Sequence, residues 1–391
     1  MSRFNSYINT ASHLIKNYKG ETPFAIFLRT YFGANKKYGS RDRKQIASLC
    51  YNYFRTGHVA ADEPIENRIL LGNFLCETAP SDLMESLASE WNKIIDQPID
   101  KKISAINNAI NIQDIFPFKE ELSNGIDPEL FCRSYLIQPD LFLRIRPKTR
   151  IGFLKKLEKA NLDHTILDED CLVLPNTSKV EEHFILDKEI IVQDYNSQKV
   201  FDHLRTDNII NQTMHTAVWD CCAASGGKSI LLMDLFNHKI DLTVSDIRPS
   251  IILNLHQRFK KAGIKSYNYF ISDIEKAGFQ HPIAETDIIV CDAPCTGSGT
   301  WGRTPEQLHY FNKETIESFS DRQKKIASNV IPYLKKDGLF IYITCSVFKK
   351  ENEEVANSLM KDFDLELLQM EILKGYDKKA DSMFVTIFRK K

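Results

Sequence analysis

The sequence predicts an α/β protein: a doubly wound sheet, preceded by a small α+β domain and an all-α N-terminal domain. Three observations carry this prediction. From about residue 205, apolar runs of strand length alternate with stretches of helical spacing, the pattern of a mostly parallel sheet covered by helices. Up to about residue 125, apolar residues recur only at helical spacing. Between the two, Leu141 to Ile145 alternates like a strand and Phe153 to Leu162 has helical spacing. The expected domains are therefore 1–125, 126–204 and 205–391.

In the first domain, Ile46, Leu49, Cys50, Tyr53 and Phe54 mark one face of a helix that Ser40 would cap. LMESLASEWNKII reads as a further amphipathic helix. Gly125 and Pro128, in SNGIDPEL, punctuate the boundary. In the third domain the expected strands are Ala217–Asp220, Leu242–Asp246, Tyr267–Ile271, Asp287–Cys291 and Leu339–Thr344. A last pair, near Leu367–Ile372 and Met383–Phe388, reads as an antiparallel edge.

Composition narrows the class. The chain has 391 residues, 43% apolar, with 51 Lys+Arg against 52 Asp+Glu and nine cysteines. That apolar fraction fills ordinary cores and excludes wholesale disorder. No apolar run approaches the roughly 18–20 residues that span a bilayer. The first residues lack the apolar core of a secretory signal, so a cytoplasmic location is expected, with the cysteines as free thiols. The near-zero sum hides a partition. Residues 1–50 hold nine Lys/Arg and two Asp/Glu, residues 51–100 three and nine, and residues 131–163 eight and three. Arg144, Arg146, Lys148 and Arg150 sit two apart, so an extended segment would aim all four one way, towards phosphates.

Four motifs carry chemistry. VWDCCAASGGKS (218–229) is a strand, a turn of small residues and a helix start, which lets a ligand approach backbone amides. It has neither Walker A nor GxGxxG spacing. Asp246 ends the next strand, 20 residues after Gly226, where a carboxylate suits a ribose diol, and Asp273 ends the third. Each alone is an ordinary helix cap, but the series suggests an adenosine-containing ligand. IIVCDAPCTGSGTWGR (288–303) sets Asp292 and Cys295 in a turn rich in glycine and proline. FIYITCSVFKKENEEV (340–355) sets Cys345 at the end of the fifth strand, with Lys349 and Lys350 close enough in sequence to favour a thiolate. The spacing of Cys295 and Cys345 does not fit zinc, and no metal is expected: there is no C-x-x-C and no accompanying His.

Together these motifs resemble the RNA 5-methylcytosine methyltransferases of the Sun/Fmu (Nop/Sun) family, over roughly residues 130–391. The carriers are CAASGGK (222–228), Asp246, Asp273, DAPCTGSG (292–299) and TCS (344–346) followed by ENEEV. GSRDRKQIASLCYNYFR makes the N-terminal region similar to the NusB-like RNA-binding domain of the bacterial ribosomal-RNA branch. Two positions depart from the family pattern: Ser225 replaces a proline, and Arg146 stands where an asparagine is usual.

The resemblance implies a Rossmann-like methyltransferase sheet and S-adenosyl-L-methionine as methyl donor. Cys222, Ala223, Ala224, Ser225, Gly226, Gly227 and Lys228 would form its binding loop. Asp246 would take the ribose, Asp273 the adenine side, and Asp292 would face both cofactor and target base. Cys345 would be the nucleophile and Cys295 would help release the product. The implied activity is methylation of cytosine C5 through a covalent cysteine–C6 adduct, on small-subunit (16S) ribosomal RNA. A monomer is the default expectation, and without a spanning apolar run no membrane partner is expected. Transfer RNA is the alternative substrate. A non-catalytic ribosome assembly factor is the alternative class, which the intact Asp and Cys motifs disfavour. A DNA cytosine methyltransferase would lack the TCS cysteine, and a NAD-dependent oxidoreductase explains neither thiol.

Overall fold

The computed structural model describes residues 2–106, 110–206, 216–281 and 283–391. The chain forms two compact units. One comprises residues 1–120, 127–138 and 300–313; the other comprises 121–126, 139–299 and 314–391.

The first unit is helical among its described residues. Its main helices are Arg3–Asn17, Phe24–Ala34, Ser40–Arg55 and Ile65–Cys76. Ile46, Leu49, Cys50, Tyr53 and Phe54 are all buried, as their spacing requires. The cap falls one residue earlier than expected: Gly39 is the N-cap, and its N–H donates to the Asp42 carboxylate at 3.0 Å. The helix expected over LMESLASEWNKII is broken at Ala88 (φ −156°, ψ 60°) into Asp82–Leu87 and Ser89–Asn92. Residues 300–313 join this unit partly through Arg55. Its buried guanidinium donates to the carbonyls of Tyr135 (3.0 Å), Ile137 (3.3 Å) and Gly302 (3.0 Å).

The second unit contains two sheets. The smaller is antiparallel, built from β1 (Leu141–Ile145), β2 (Thr165–Ile166), β3 (Cys171–Leu174) and β4 (Ile190–Val192) in the order β2-β3-β1-β4. Helix Arg150–Ala160 closes it, with Phe153 and Leu157 packed on Leu143, Ile145 and Leu172.

The larger sheet has seven strands: β5 (Thr216–Asp220), β6 (Ile240–Asp246), β7 (Asn268–Ile271), β8 (Thr286–Asp292), β9 (Leu334–Thr344), β10 (Leu365–Leu373) and β11 (Met383–Lys390). Their order is β10-β11-β9-β8-β5-β6-β7. The strands from β7 to β9 are parallel, and β11 and β10 run antiparallel beyond β9. The expected antiparallel pair therefore forms, with β10 at the edge. Apolar residues alternate between two cores: Val218, Ile288 and Ile341 face one layer, Trp219, Ile289 and Tyr342 the other. Strand order reverses between β5 and β8, so a crevice opens beyond their carboxyl ends, where ligands bind in such sheets.

Candidate active site

A cavity of about 410 Å³ lies at those carboxyl ends. Cys222, Ala224, Asp246, Asp273, Asp292, Cys295 and Cys345 all line it, gathered from the ends of five strands. Its size falls within the ~300–1,000 Å³ of small-molecule sites.

The turn after β5 has a backbone reason for its composition. Gly226 adopts φ +82°, and a Cβ there would lie 2.6 Å from the Phe259 ring. Helix Gly227–Leu235 starts immediately after it. Ala223 is buried, with its N–H bonded to the Ser245 carbonyl at 2.9 Å. Ser225, the departure from proline, holds the turn by accepting from Arg258 at 2.9 Å through its hydroxyl.

Asp246 accepts four hydrogen bonds: from Ala224 N–H (3.1 Å), Arg248 N–H (2.9 Å), and Arg248 Nε (2.9 Å) and Nη2 (3.0 Å). Burial opposes its charge, but the bonds from Arg248 outweigh it and hold the carboxyl below the usual range. Asp273 accepts from the Glu275 N–H at 3.1 Å. Asp292 is paired with the Lys228 ammonium at 2.6 Å. Burial works against the Lys228 charge, yet Asp292 raises its pKa, helped by Cys345. Lys228 is thus the cation whose charge Cys345 feels, the place that sequence proximity had assigned to Lys349 and Lys350. Lys349 is exposed, and Lys350 pairs with Glu317.

The sulfurs of Cys295 and Cys345 are 3.2 Å apart. The hydrogen bond with Cys345, then burial, pushes the Cys295 thiol well up, so Cys295 keeps its proton. Two buried acidic residues were left without roles by the motifs, and one of them sets this geometry. Glu351, of ENEEV, is buried and accepts from Thr296 N–H (2.9 Å), Ser346 Oγ (2.6 Å) and Gln323 Nε2 (2.9 Å). It thereby ties the Cys295 loop to the Cys345 loop. Asp220, inside VWDCC, ends β5 wholly buried, and burial pushes its carboxyl up to about 7. Both lay inside quoted motifs, but an acidic residue beside a catalytic motif has no sequence mark of burial.

The four basic residues of the small sheet do not share one edge. Arg144 and Arg146 are buried, and both bind Asp234, Arg144 Nη1 at 2.6 Å and Arg146 Nη2 at 2.6 Å. Arg146 also donates to the carbonyls of Asp187 (3.1 Å) and Ala262 (2.6 Å). Their expected phosphate contact is corrected: these guanidiniums hold the small sheet to helix Gly227–Leu235 and are turned away from solvent. The strand ends at Ile145, and residues 147–149 form a 3₁₀ turn, which breaks the two-residue alternation. Lys148 is exposed, and Arg150 is half-buried beside Asp170 at 3.4 Å.

The fold and the site define a Rossmann-like domain of the S-adenosylmethionine-dependent methyltransferase type. Residues 208–388 match the family model "16S rRNA methyltransferase RsmB/F". A similar curated relative is "Probable ribosomal RNA small subunit methyltransferase B" of Bacillus subtilis (strain 168). It is 27% identical over 238 residues, 60% of this chain and 52% of the relative. The chain thus spans about half the length of that relative. A solved structure described as PH0851 covers 100% of both chains with a TM-score of 0.71 at 19% identity. NSun6 from Pyrococcus horikoshii, solved with SFG, covers 64% of this chain and 91% of its own, with a TM-score of 0.55 at 14% identity. Both solved structures share the fold. No helix among the described residues is long and apolar enough to cross a membrane.

Proposed function

We propose that this protein is an S-adenosyl-L-methionine-dependent RNA cytosine-C5 methyltransferase acting on small-subunit (16S) ribosomal RNA. The observation that carries the proposal is the pair of sulfurs, Cys295 and Cys345, 3.2 Å apart on the wall of a cavity that also presents Asp246, Asp273 and Asp292. The substrate follows the RsmB/F match and the relative's name. Residues 1–125 are assigned as the NusB-like RNA-binding region, 126–204 as the small RNA-contacting region and 205–391 as the catalytic domain. Lys148 and Arg150 are the members of the basic group left near solvent for phosphate.

The residues present fit the methyl donor. The Gly226 turn leaves no room for a Cβ and sets the start of a helix beside the cavity. Asp246 and Asp273 offer acceptors to the ribose and adenine sides. Arg248 occupies Asp246 on both oxygens, and its side chain is 56% exposed, so it yields when a diol takes its place. When bound, the donor supplies an electrophilic methyl group.

The chain's own residues make cytosine C5 reactive. The Cys345 thiolate adds to C6, which turns C5 into an enamine-like carbon nucleophile. Asp292, anchored by Lys228, faces the base and supports the charge that develops at N3. After methylation water takes the C5 proton, its bonding pair forms the C5–C6 double bond, and the Cys345–C6 bond breaks with its pair returning to sulfur as thiolate. The protonated Cys295, 3.2 Å away, assists by donating a hydrogen bond to that sulfur. The base has to be unstacked to expose C6.

The test is methyl transfer to ribosomal RNA, read by bisulfite sequencing. Cys345→Ala is expected to abolish transfer, and Cys295→Ala to accumulate a covalent RNA–protein adduct on denaturing gels. Full activity in Cys345→Ala, or transfer to transfer RNA alone, overturns the proposal.

A further inference from the structure

Two cysteines that the methyl-transfer reading leaves without a task, Cys221 and Cys291, meet Cys222 of the expected donor loop at one point. The sulfurs of Cys221, Cys222 and Cys291 all lie within 4.8 Å of one another. Their meeting is set by the sheet ladder. β5 and β8 are parallel neighbours, Asp220 is in register with Val290, and the Cys221 N–H donates to the Val290 carbonyl at 2.9 Å. Cys221 therefore follows β5 just where Cys291 follows Val290 in β8.

The surroundings suit a soft ion. Cys221 and Cys291 are 1% and 0% exposed, packed in a layer with Trp219, Ile289, Phe340 and Tyr342. Cys222 is half-buried and lines the cavity, which gives an entry path. An ion bonded to three sulfurs in one plane at about 2.3 Å holds them about 4 Å apart, inside the observed spread. Thiolates select soft ions such as Cu(I). Zinc takes a fourth ligand, and the Asp292 carboxylate, next in sequence to Cys291, is engaged by Lys228 at 2.6 Å. Cysteines buried as small hydrophobes carry no requirement to cluster.

We propose that Cys221, Cys222 and Cys291 form a trithiol site for Cu(I). As each sulfur–copper bond forms, the thiol gives its proton to solvent. Copper stays monovalent, so no oxidant or reductant takes part. The site is distinct from the Cys295–Cys345 pair, on which the expectation of no metal was built, and it does not depend on the methyltransferase proposal.

Because Cys295 and Cys345 form a two-thiol site of their own, the test starts from the full chain carrying Cys295→Ser and Cys345→Ser. The reduced protein is titrated anaerobically with Cu(I) against bicinchoninic acid, and the retained metal is counted by mass spectrometry. One equivalent per chain is expected, with three sulfur neighbours at about 2.3 Å by X-ray absorption. Adding Cys222→Ser is expected to weaken retention at least tenfold, and adding Cys291→Ser likewise. If Cys291→Ser does not fold, Cys222→Ser, which alters a side chain at the cavity wall, decides. No retained copper, retention unchanged by Cys222→Ser, or only two sulfur neighbours overturns the proposal.

Discussion

Asp220 should make the protein's stability depend on pH in a way that one substitution removes. The residue ends β5 with no solvent exposure. Its Oδ2 accepts from the Ser229 hydroxyl at 2.5 Å, and its Oδ1 has no hydrogen-bond partner among the described residues. Burial raises its pKa from 3.8 to about 7, against the Ser229 bond, which favours the anion. The folded chain thus keeps a proton that the unfolded chain releases. The group's contribution is complete below pH 3.8, falls as pH rises towards 7, and levels off above it. At 1.36 kcal/mol per unit the full span is worth about 4 kcal/mol, of which roughly 2.5 kcal/mol falls between pH 5 and pH 8. Asn at this position keeps the acceptor for Ser229 and does not titrate. The unfolding free energy of Asp220→Asn minus that of the wild type, from urea denaturation, should therefore rise by roughly 2.5 kcal/mol over that interval. Other groups titrate in both proteins and cancel. A difference constant to within about 0.5 kcal/mol would refute the reasoning.

Removing Asp234 with Asp234→Ala strands the buried guanidiniums of Arg144 and Arg146. We expect a loss of about 3–5 kcal/mol in urea denaturation, and a loss under about 1 kcal/mol would show that the pair is not held by that carboxylate. Glu351→Ala unties the Cys295 loop from the Cys345 loop, so methyl transfer should fall about 100-fold while donor affinity changes little. Equal losses in both quantities would point to general unfolding instead. A Cβ at Gly299 would lie 2.0 Å from the Ser382 carbonyl oxygen and 3.0 Å from that of Cys345. Gly299→Ala should destabilise by at least about 2 kcal/mol, read as a lower melting temperature, and an unchanged melting temperature would mean that the loop moves freely there.

Much of the larger sheet is legible along the chain. Strand-length apolar runs such as Asp287–Cys291 are bounded by turn residues, and helix Pro249–Ala262 repeats its apolar face at Ile252, Leu255 and Phe259. These are local periodicities, so no tertiary information is needed to see them. The lining of the cavity was legible for a related reason: Asp246, Asp273, Asp292 and Cys345 each stand at the end of a strand, and parallel strands bring those ends to one edge. The small sheet was less transparent. Arg144 and Arg146 look like surface charges in LRIRPKTR, because their partner Asp234 lies 90 and 88 residues away. Ala88 interrupts a helical pattern that has no glycine or proline to announce the break.

The sequence by itself determined the order of strands and helices and the residue types at the strand ends, because periodicity and turn chemistry act over a few residues. Only the tertiary structure decided which of those ends touch. β5, β8 and β9 are neighbours although they are separated along the chain, and that adjacency sets Cys295 against Cys345, 50 residues apart. The same adjacency joins Lys228 to Asp292 across 64 residues and gathers Cys221, Cys222 and Cys291. Nine cysteines in the composition thus separate into a close pair at the cavity, a trio of neighbouring sulfurs and scattered single residues through the pairing of strands, which is a long-range property of the sheet.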